Sequence, residues 1–390
     1  MIVVGIYYFN GEMHFWQGLL IIGFSFIPAW LSYHFIENPM RNWSAIKADA
    51  RKAVAFGVIL MTVSATAGIL LFLSPNRSQA APPQFSLTPY DPTAVNKESE
   101  KEAAKNLFGA EALTVDPDAG EVVDRVDNFY PTTAKAKRDY PSNYAAGCHQ
   151  EVNETSPESC VYGDKNSDFS VALVGDSHAG HWLPALEPIA EAQGWRLEVY
   201  TKSQCPLIST AIKLGETFYA ECYEWNEKLL AKLTGPSAPN HVIVSSQRYA
   251  SANPLIDSVA TGTVSEGYEM AWNSLKDAGV SISVLLDTPR PQIDIPECVA
   301  SNRDNLSECS VHRSVALGTE AHPQQKTAAQ NIDVPVLDLS NWICPEEYCS
   351  AVIGNVLVYR DSHHLTATYA RSLSSALWNE LVASNGEPFK

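Results

Sequence analysis

From about residue 168 onward, short apolar runs rich in β-branched residues alternate with longer stretches of helical periodicity, and no other feature limits the possible folds as much. Runs at 169–175, 196–200, 241–246, 281–287 and 334–339 have strand length, and helical stretches fall near 179–193, 218–233, 265–278 and 366–382. Strands separated by helices return in the same direction. The pattern therefore predicts an α/β fold in three layers, a parallel sheet with helices on both faces. In such sheets chemistry collects beyond the carboxyl ends of the strands. The sequence has no internal repeat.

The chain is 390 residues long, 45% hydrophobic and 18% charged, enough for a sizeable core and a second unit. Its net charge is −17, and the segment after residue 75 holds 23 basic and 41 acidic residues. An acidic surface repels phosphate backbones, which sets nucleic acid aside as a partner.

All eight cysteines follow residue 147 and form four close pairs: Cys148/Cys160, Cys205/Cys222, Cys298/Cys309 and Cys344/Cys349. Locally paired cysteines, without the Cys-x2-4-Cys knuckles that zinc prefers, predict disulfides and an oxidising compartment. Each bridge would close a short loop and contribute about 2–3 kcal/mol in the chain-entropy model.

The N-terminal region reads as membrane. Residues 16–36 are almost entirely apolar and residues 53–73 carry no charge, so each run is long enough to cross a hydrocarbon core. Arg41, Lys47, Arg51 and Lys52 lie between them, which puts that loop in the cytoplasm and the chain after residue 73 outside. Residues 1–9 amount to half a span, and no basic n-region or cleavage site marks a signal peptide, so the start reads as truncated. Residues 75–145 are rich in Pro, Ala, Lys, Glu and Asp and read as a linker with an accessory element, including a short helix near 97–110. The expected division is 1–75 for the membrane part, 76–150 for linker and extension, and 151–390 for the α/β domain.

Ser177 follows the first strand by two residues, in Gly175-Asp176-Ser177-His178-Ala179-Gly180-His181-Trp182. Gly175 permits a tight turn, and a helix start supplies backbone N–H groups to a developing oxyanion. On its own the motif is equally consistent with Ser177 as a nucleophile and as a helix cap. The other end of the domain decides between them. Asp361-Ser362-His363-His364 lies just before the last helix, and Asp-x-x-His can supply a base, His364, with the carboxylate that fixes its tautomer, Asp361. His363 is the rival base, one residue closer to Asp361. Two surface histidines at a helix start are the structural alternative.

Together the Gly-Asp-Ser-His and Asp-x-x-His turns resemble the SGNH/GDSL hydrolase superfamily over roughly 168–385, in the version fused to membrane acyltransferases of family 3. The resemblance implies a flavodoxin-like three-layer sheet preceded by two transmembrane helices, and matches Ser177, Asp361 and His364 to the family's catalytic positions. The paired cysteines, Cys205-Pro206-Leu207 and Asp287-Thr288-Pro289 also look like this subgroup. Residues 31–41, Leu-Ser-Tyr-His-Phe-Ile-Glu-Asn-Pro-Met-Arg, resemble the end of that family's last core membrane helix, and 53–73 the helix leading outward. The family acetylates surface glycans, with acetyl-CoA implied as ultimate donor on the cytoplasmic side and no cofactor in the SGNH domain itself. The implied partners are the membrane, a cell-surface glycan acceptor, and the missing acyltransferase helices or a separate acyl-donating membrane protein. The implied site is the inner membrane, with the domain in the periplasm or outside the cell.

The sequence departs from the superfamily at the oxyanion donors. The Ser177 N–H is kept, but Lys202-Ser203-Gln204 and Ser246-Gln247-Arg248-Tyr249 replace the usual glycine and asparagine, which leaves Arg248 as substitute donor or as an ordinary surface arginine. Asp176, His178, His181 and Trp182 flank Ser177 and are expected to contact substrate or pack around it. His178 and His181, three apart on a helix, also have metal-ligand spacing, but the companion ligand turns of a metallophosphoesterase are missing, so no metal is expected. Trp195, Trp225 and Trp272 are more in keeping with core than with sugar stacking. The leading expectation is an O-acetyltransferase acting through a Ser177 acyl-enzyme. The alternatives are a membrane-tethered carbohydrate esterase and a non-catalytic glycan-binding or assembly subunit.

Overall fold

The computed structural model describes residues 107–248, 262–318 and 323–386, with scattered positions between 23 and 66. The chain divides into two units, Met1–Gln79 and Ala80–Lys390. The apolar runs at 16–36 and 53–73 fall largely outside the described residues, as does 97–106 of the expected short helix. Among the described residues no helix is long and apolar enough to cross a membrane. Those described in the first unit include exposed Phe26, Trp30, Phe35, Val54 and Met61.

The second unit is built on a seven-stranded sheet: β1 (His149–Gln150), β2 (Cys160–Gly163), β3 (Ser170–Gly175), β4 (Arg196–Lys202), β5 (His241–Ser245), β6 (Ser281–Leu285) and β7 (Val336–Leu337). The order is β1-β4-β3-β5-β6-β7, with every neighbouring pair parallel. Only β2 runs antiparallel, pairing Cys160–Gly163 with Arg196–Val199 at the outer edge of β4. The sheet is thus mostly rather than wholly parallel. The chain steps from β3 to β4 on one side and then returns to β5 on the other, so the order reverses between β4 and β5, around β3. A doubly wound sheet opens a crevice for ligands at such a point.

The central strands are apolar on both faces because both faces are covered. Val171, Leu173, Leu197, Val199, Ile243 and Leu285 pack with Leu186 and Ile189 of α2 (Leu183–Gln193) and with Leu377 and Leu381 of the C-terminal helix Ser374–Asn385. Ala172, Val174, Tyr200, Val242, Val244 and Val284 face the other way, against Trp225 and Leu229 of α3 (Ala220–Leu233) and Tyr268 and Trp272 of α4 (Val264–Asp277). Truncating a wholly buried Leu173 to Ala would cost about 2–5 kcal/mol. Thr263 and Glu266 form a reciprocal capping box that starts α4. The expected helix at 179–193 is two helices, α1 (Ser177–Gly180) and α2. Pro184 has no N–H to donate to the preceding turn, and a new helix starts around it.

All four expected disulfides are present, Cys148–Cys160, Cys205–Cys222, Cys298–Cys309 and Cys344–Cys349. The stretch before β1 is bound into the domain from Leu107 on. Ala110 and Ala136 are buried in the core, the Ala110 N–H donates to Ser372 Oγ at 2.8 Å, and Asp139 accepts from the Thr368 N–H at 2.9 Å. The extension therefore supports the start of the helix α5 (Ala367–Ser372), directly after the Asp-x-x-His turn; the C-terminal helix Ser374–Asn385 is α6.

Candidate active site

Gly175 ends β3 at φ +147°, where a Cβ would stand 1.8 Å from the Ser245 carbonyl oxygen of β5. Only glycine lets the backbone turn this close to the next strand. Asp176, fully buried, then caps α1 by accepting from the His178 N–H at 2.8 Å, and reaches across the switch point to accept from the Gln247 N–H at 3.1 Å. Ser177 opens α1 and is partly exposed.

At the other end of the domain, a bridge between Tyr359 and Leu365 closes a turn whose Arg360 N–H donates to the His364 carbonyl at 2.9 Å. Within the turn, one Asp361 carboxylate oxygen accepts from the backbone N–H groups of His363 and His364, at 2.8 and 2.7 Å. The other lies 2.7 Å from His364 Nδ1, and His364 Nε2 lies 2.9 Å from Ser177 Oγ. Ser177, His364 and Asp361 thus form one hydrogen-bonded line, assembled from positions 187 residues apart. His364, rather than His363, reaches the serine.

Burial opposes ionisation of Asp361, but the hydrogen bonds from the His364 ring and two backbone N–H groups outweigh it and hold the carboxyl well below the usual carboxylate range. Burial pushes His364 down to about 3, with the Asp361 hydrogen bond working against it. At neutral pH the carboxylate is charged and the imidazole neutral. With Nδ1–H donated to Asp361, Nε2 is left to accept the serine proton.

A second line runs beside the first. His178 is wholly buried; its Nδ1 is hydrogen-bonded to Asp287, at the end of β6, and its Nε2 is 2.9 Å from His363 Nδ1. The His178 and His363 rings stack within 5° of parallel. Burial, then the neighbouring His178, pushes His363 down to about 4, so it too is neutral at pH 7. Asp287 also accepts from the Arg248 and Thr288 N–H groups, at 3.3 and 2.8 Å, and pairs with Arg248 Nε at 3.5 Å. A cavity of about 400 Å³, lined by Arg248, Arg290, Gln292, Ser362 and His363, opens at the end of this second line.

The remaining expected site residues take different positions. Asp176, His178, His181 and Trp182, expected to contact substrate or pack around Ser177, are all buried, at 0, 0, 1 and 1% exposure. The Arg248 guanidinium is held by the chain itself, donating to the carbonyls of Ala316 and Leu317 and pairing with Asp287. The Gln247 and Arg248 N–H groups are likewise taken, by Asp176 and Asp287. The Ser177 N–H has no acceptor among the described residues and is the donor left to face an oxyanion. Trp195, Trp225 and Trp272 are core residues.

His178, His363 and His364 bring ring nitrogens within 4.8 Å of one another, a spacing that could hold a metal ion. Their chemistry fits a hydrogen-bonded relay better. Both nitrogens of His178 and both of His364 already have partners, which leaves His363 Nε2 as the one ring nitrogen of the set without one. The Asp287–His178–His363 line was missed in the sequence because its acid and its first imidazole are 109 residues apart. The one sequence signal was a histidine directly after the nucleophile.

The fold resembles the periplasmic domain of a lipopolysaccharide acetyltransferase from Salmonella ser. Paratyphi A, with a TM-score of 0.42 and 14% identity, covering 56% of this chain and 84% of that one. It also resembles a carbohydrate acetylesterase family member from Sinorhizobium meliloti, with a TM-score of 0.30 and 10% identity, covering 55% of this chain and 99% of that one. No curated protein matches the sequence. A family model described as "SGNH domain (fused to AT3 domains)" matches residues 147–379, more than half of the chain, and takes in all seven strands of the sheet and both ends of the Ser177–His364–Asp361 line. The chain belongs to the SGNH family of domains fused to AT3 domains.

Proposed function

We propose that the chain is the SGNH part of a membrane-anchored O-acetyltransferase that transfers acetyl groups to a cell-surface glycan. The observation that carries this reading is the hydrogen-bonded line from Asp361 through His364 to Ser177. Ser177 Oγ attacks the acetyl carbonyl of a donor ester while His364 Nε2 takes the hydroxyl proton, and the Asp361 carboxylate balances the imidazolium that forms. The Ser177 N–H faces the oxyanion of the tetrahedral intermediate. Its collapse expels the donor's alcohol, which takes the proton back from His364 and leaves acetyl-Ser177. A glycan hydroxyl then attacks the acetyl-enzyme and gives its proton to His364. Breakdown of the second intermediate restores the Ser177 hydroxyl and releases the acetylated glycan.

The acetyl group originates from acetyl-CoA on the cytoplasmic side, and AT3 helices, in the same protein or in a partner, carry it across. Family membership supports this supply, and the exposed apolar residues Phe26, Trp30 and Phe35 support contact with a membrane. The four disulfides support an extracytoplasmic position, with the domain in the periplasm or outside the cell.

The test is to incubate the full chain, in detergent, with a chromogenic acetyl ester, with and without a surface polysaccharide. Acetyl appearing on the polysaccharide, with ester consumption rising as acceptor is added, is the expected result. Hydrolysis indifferent to every acceptor would make the protein an esterase, with water in place of the glycan. Turnover that survives Ser177→Ala would remove the serine from the chemistry.

A further inference from the structure

The cavity at the end of the second relay has an electrostatic character that the chain as a whole lacks. The chain carries −17, yet none of the five residues lining the cavity is acidic and two are arginines. These two arginines differ. Arg248 is neutralised, paired with Asp287 and donating to the Ala316 and Leu317 carbonyls. Arg290 is anchored through its main chain, its N–H donating to the Ala316 carbonyl at 2.8 Å, and its guanidinium has neither an ion-pair partner nor a hydrogen-bond acceptor among the described residues. The two neighbouring acids are engaged elsewhere: Asp287 faces His178 and Arg248, and Asp361 faces His364. A guanidinium without a counter-charge on a concave wall presents forked donors suited to a carboxylate or a phosphate. In an acidic protein this is also the kind of place to which an anionic ligand can be drawn against the overall repulsion.

The other lining groups suit a sugar. His178 Nδ1 is bonded to Asp287 and its Nε2 to His363 Nδ1, so His363 has only Nε2 left for a ligand. That nitrogen has no protein partner among the described residues and can hydrogen-bond a hydroxyl, which both donates and accepts. Ser362 and Gln292 add neutral hydrogen-bonding groups, and the Gln292 N–H donates to the Ser362 carbonyl at 3.0 Å, tying the two walls together. Gln292 is held at φ +63°, a left-handed conformation uncommon for a non-glycine residue. The volume falls within the range of small-ligand sites, about 300–1,000 Å³.

We propose that this cavity is the acceptor subsite for an anionic sugar, with Arg290 binding its carboxylate or phosphate and His363 Nε2 hydrogen-bonded to a neighbouring hydroxyl. The word acceptor rests on the acyl-transfer reading above; the binding does not. The full chain in detergent is titrated with methyl glucuronide, glucose 6-phosphate and methyl glucoside, followed by calorimetry or ligand-observed NMR. At least one anionic sugar should bind about tenfold more tightly than the neutral one, and whichever does so assigns carboxylate or phosphate. Arg290→Gln should abolish the preference, Arg290→Lys should keep part of it, and added salt should weaken it. Equal binding of all three sugars, binding of none, or a preference that survives Arg290→Gln would overturn the proposal. The same titration on Ser177→Ala separates the two claims. Ester turnover with no anion preference sinks the subsite alone, and a preserved preference without ester turnover in the wild type sinks the acyl-transfer reading alone.

Discussion

Two lines of carboxylate and imidazole run side by side through the site, and they are built in opposite ways. In Asp361–His364–Ser177 the acid and the imidazole are three residues apart in one turn, and both are partly open to solvent. In Asp287–His178–His363 the acid comes from a distant strand end, and both it and the first imidazole are buried. The local pair gives a base whose geometry is set by the turn and whose far nitrogen reaches a nucleophile. The long-range pair acts as a cross-link, joining the end of β6 to α1 and, through His363, to the turn that carries the base. In the proposed function the first line reacts, and the second holds it in position.

The largest expected effect separates the reacting line from the holding one. Ser177→Ala and His364→Ala should each lower acetyl-ester turnover by about 10⁴-fold or more, and His363→Ala should cost at least about a hundredfold less than His364→Ala. Steady-state kinetics of the three variants checks this, and equal losses at His363 and His364 would erase the distinction. The two carboxylates should then fail differently. Asp287→Asn strips the counter-charge from partly buried Arg248 and the carboxylate partner from buried His178, and should cost about 3–5 kcal/mol in urea unfolding. Asp361→Asn weakens the turn's hydrogen bonds but leaves no buried charge unpaired, so it should cost less stability than Asp287→Asn and lower turnover by about 10³–10⁴-fold.

A smaller effect follows from protonation of the base. His364 must be neutral to accept the serine proton, and burial holds it at about 3. The acid limb of kcat/KM should therefore lie below pH 5, whereas an unperturbed histidine would bring the rate down near its ordinary pKa of about 6.5. The smallest effect concerns the fold. Burial lowers His149, His241 and His363 to about 4. Between roughly pH 6.5 and 4 the unfolded chain takes up protons at these sites while the folded chain does not, so stability should fall with pH across that window. Thermal melts at intervals of one pH unit would show it. A midpoint flat from pH 7 to 4 would contradict these shifts.

What was legible in the sequence is what depends on neighbours along the chain. The β–α alternation reflects burial of each strand on two faces, and the cysteine pairs close short loops, so both could be read directly. The Asp361–His364 pair could be read because one turn supplies it. Asp287 and Arg290 could not, since nothing in their own segment indicates that the end of β6 meets the helix after Ser177. The burial of Asp176, His181 and Trp182 was hidden for a related reason: a motif around a nucleophile shows which residues are near it but not which face away. The extension from Leu107 to Ala146 lacks apolar periodicity because it binds through scattered residues, Phe108, Ala110, Leu113, Val126, Phe129 and Ala136, and single hydrogen bonds rather than through a continuous stripe. The sequence left Arg248 open between oxyanion donor and ordinary arginine, because the contacts its guanidinium makes, with carbonyls of Ala316 and Leu317, come from another segment.

The most direct test of the Ser177–His364–Asp361 line is covalent. The full chain is treated with a chromogenic acetyl ester, quenched in acid within the first turnovers, digested and analysed by mass spectrometry for an added acetyl group. The acetyl group should be found on Ser177 in the wild type and be lost in His364→Ala. An acetyl group on another residue, or undiminished ester turnover in Ser177→Ala with no acetyl-serine in the wild type, would contradict the assignment of Ser177 as the nucleophile.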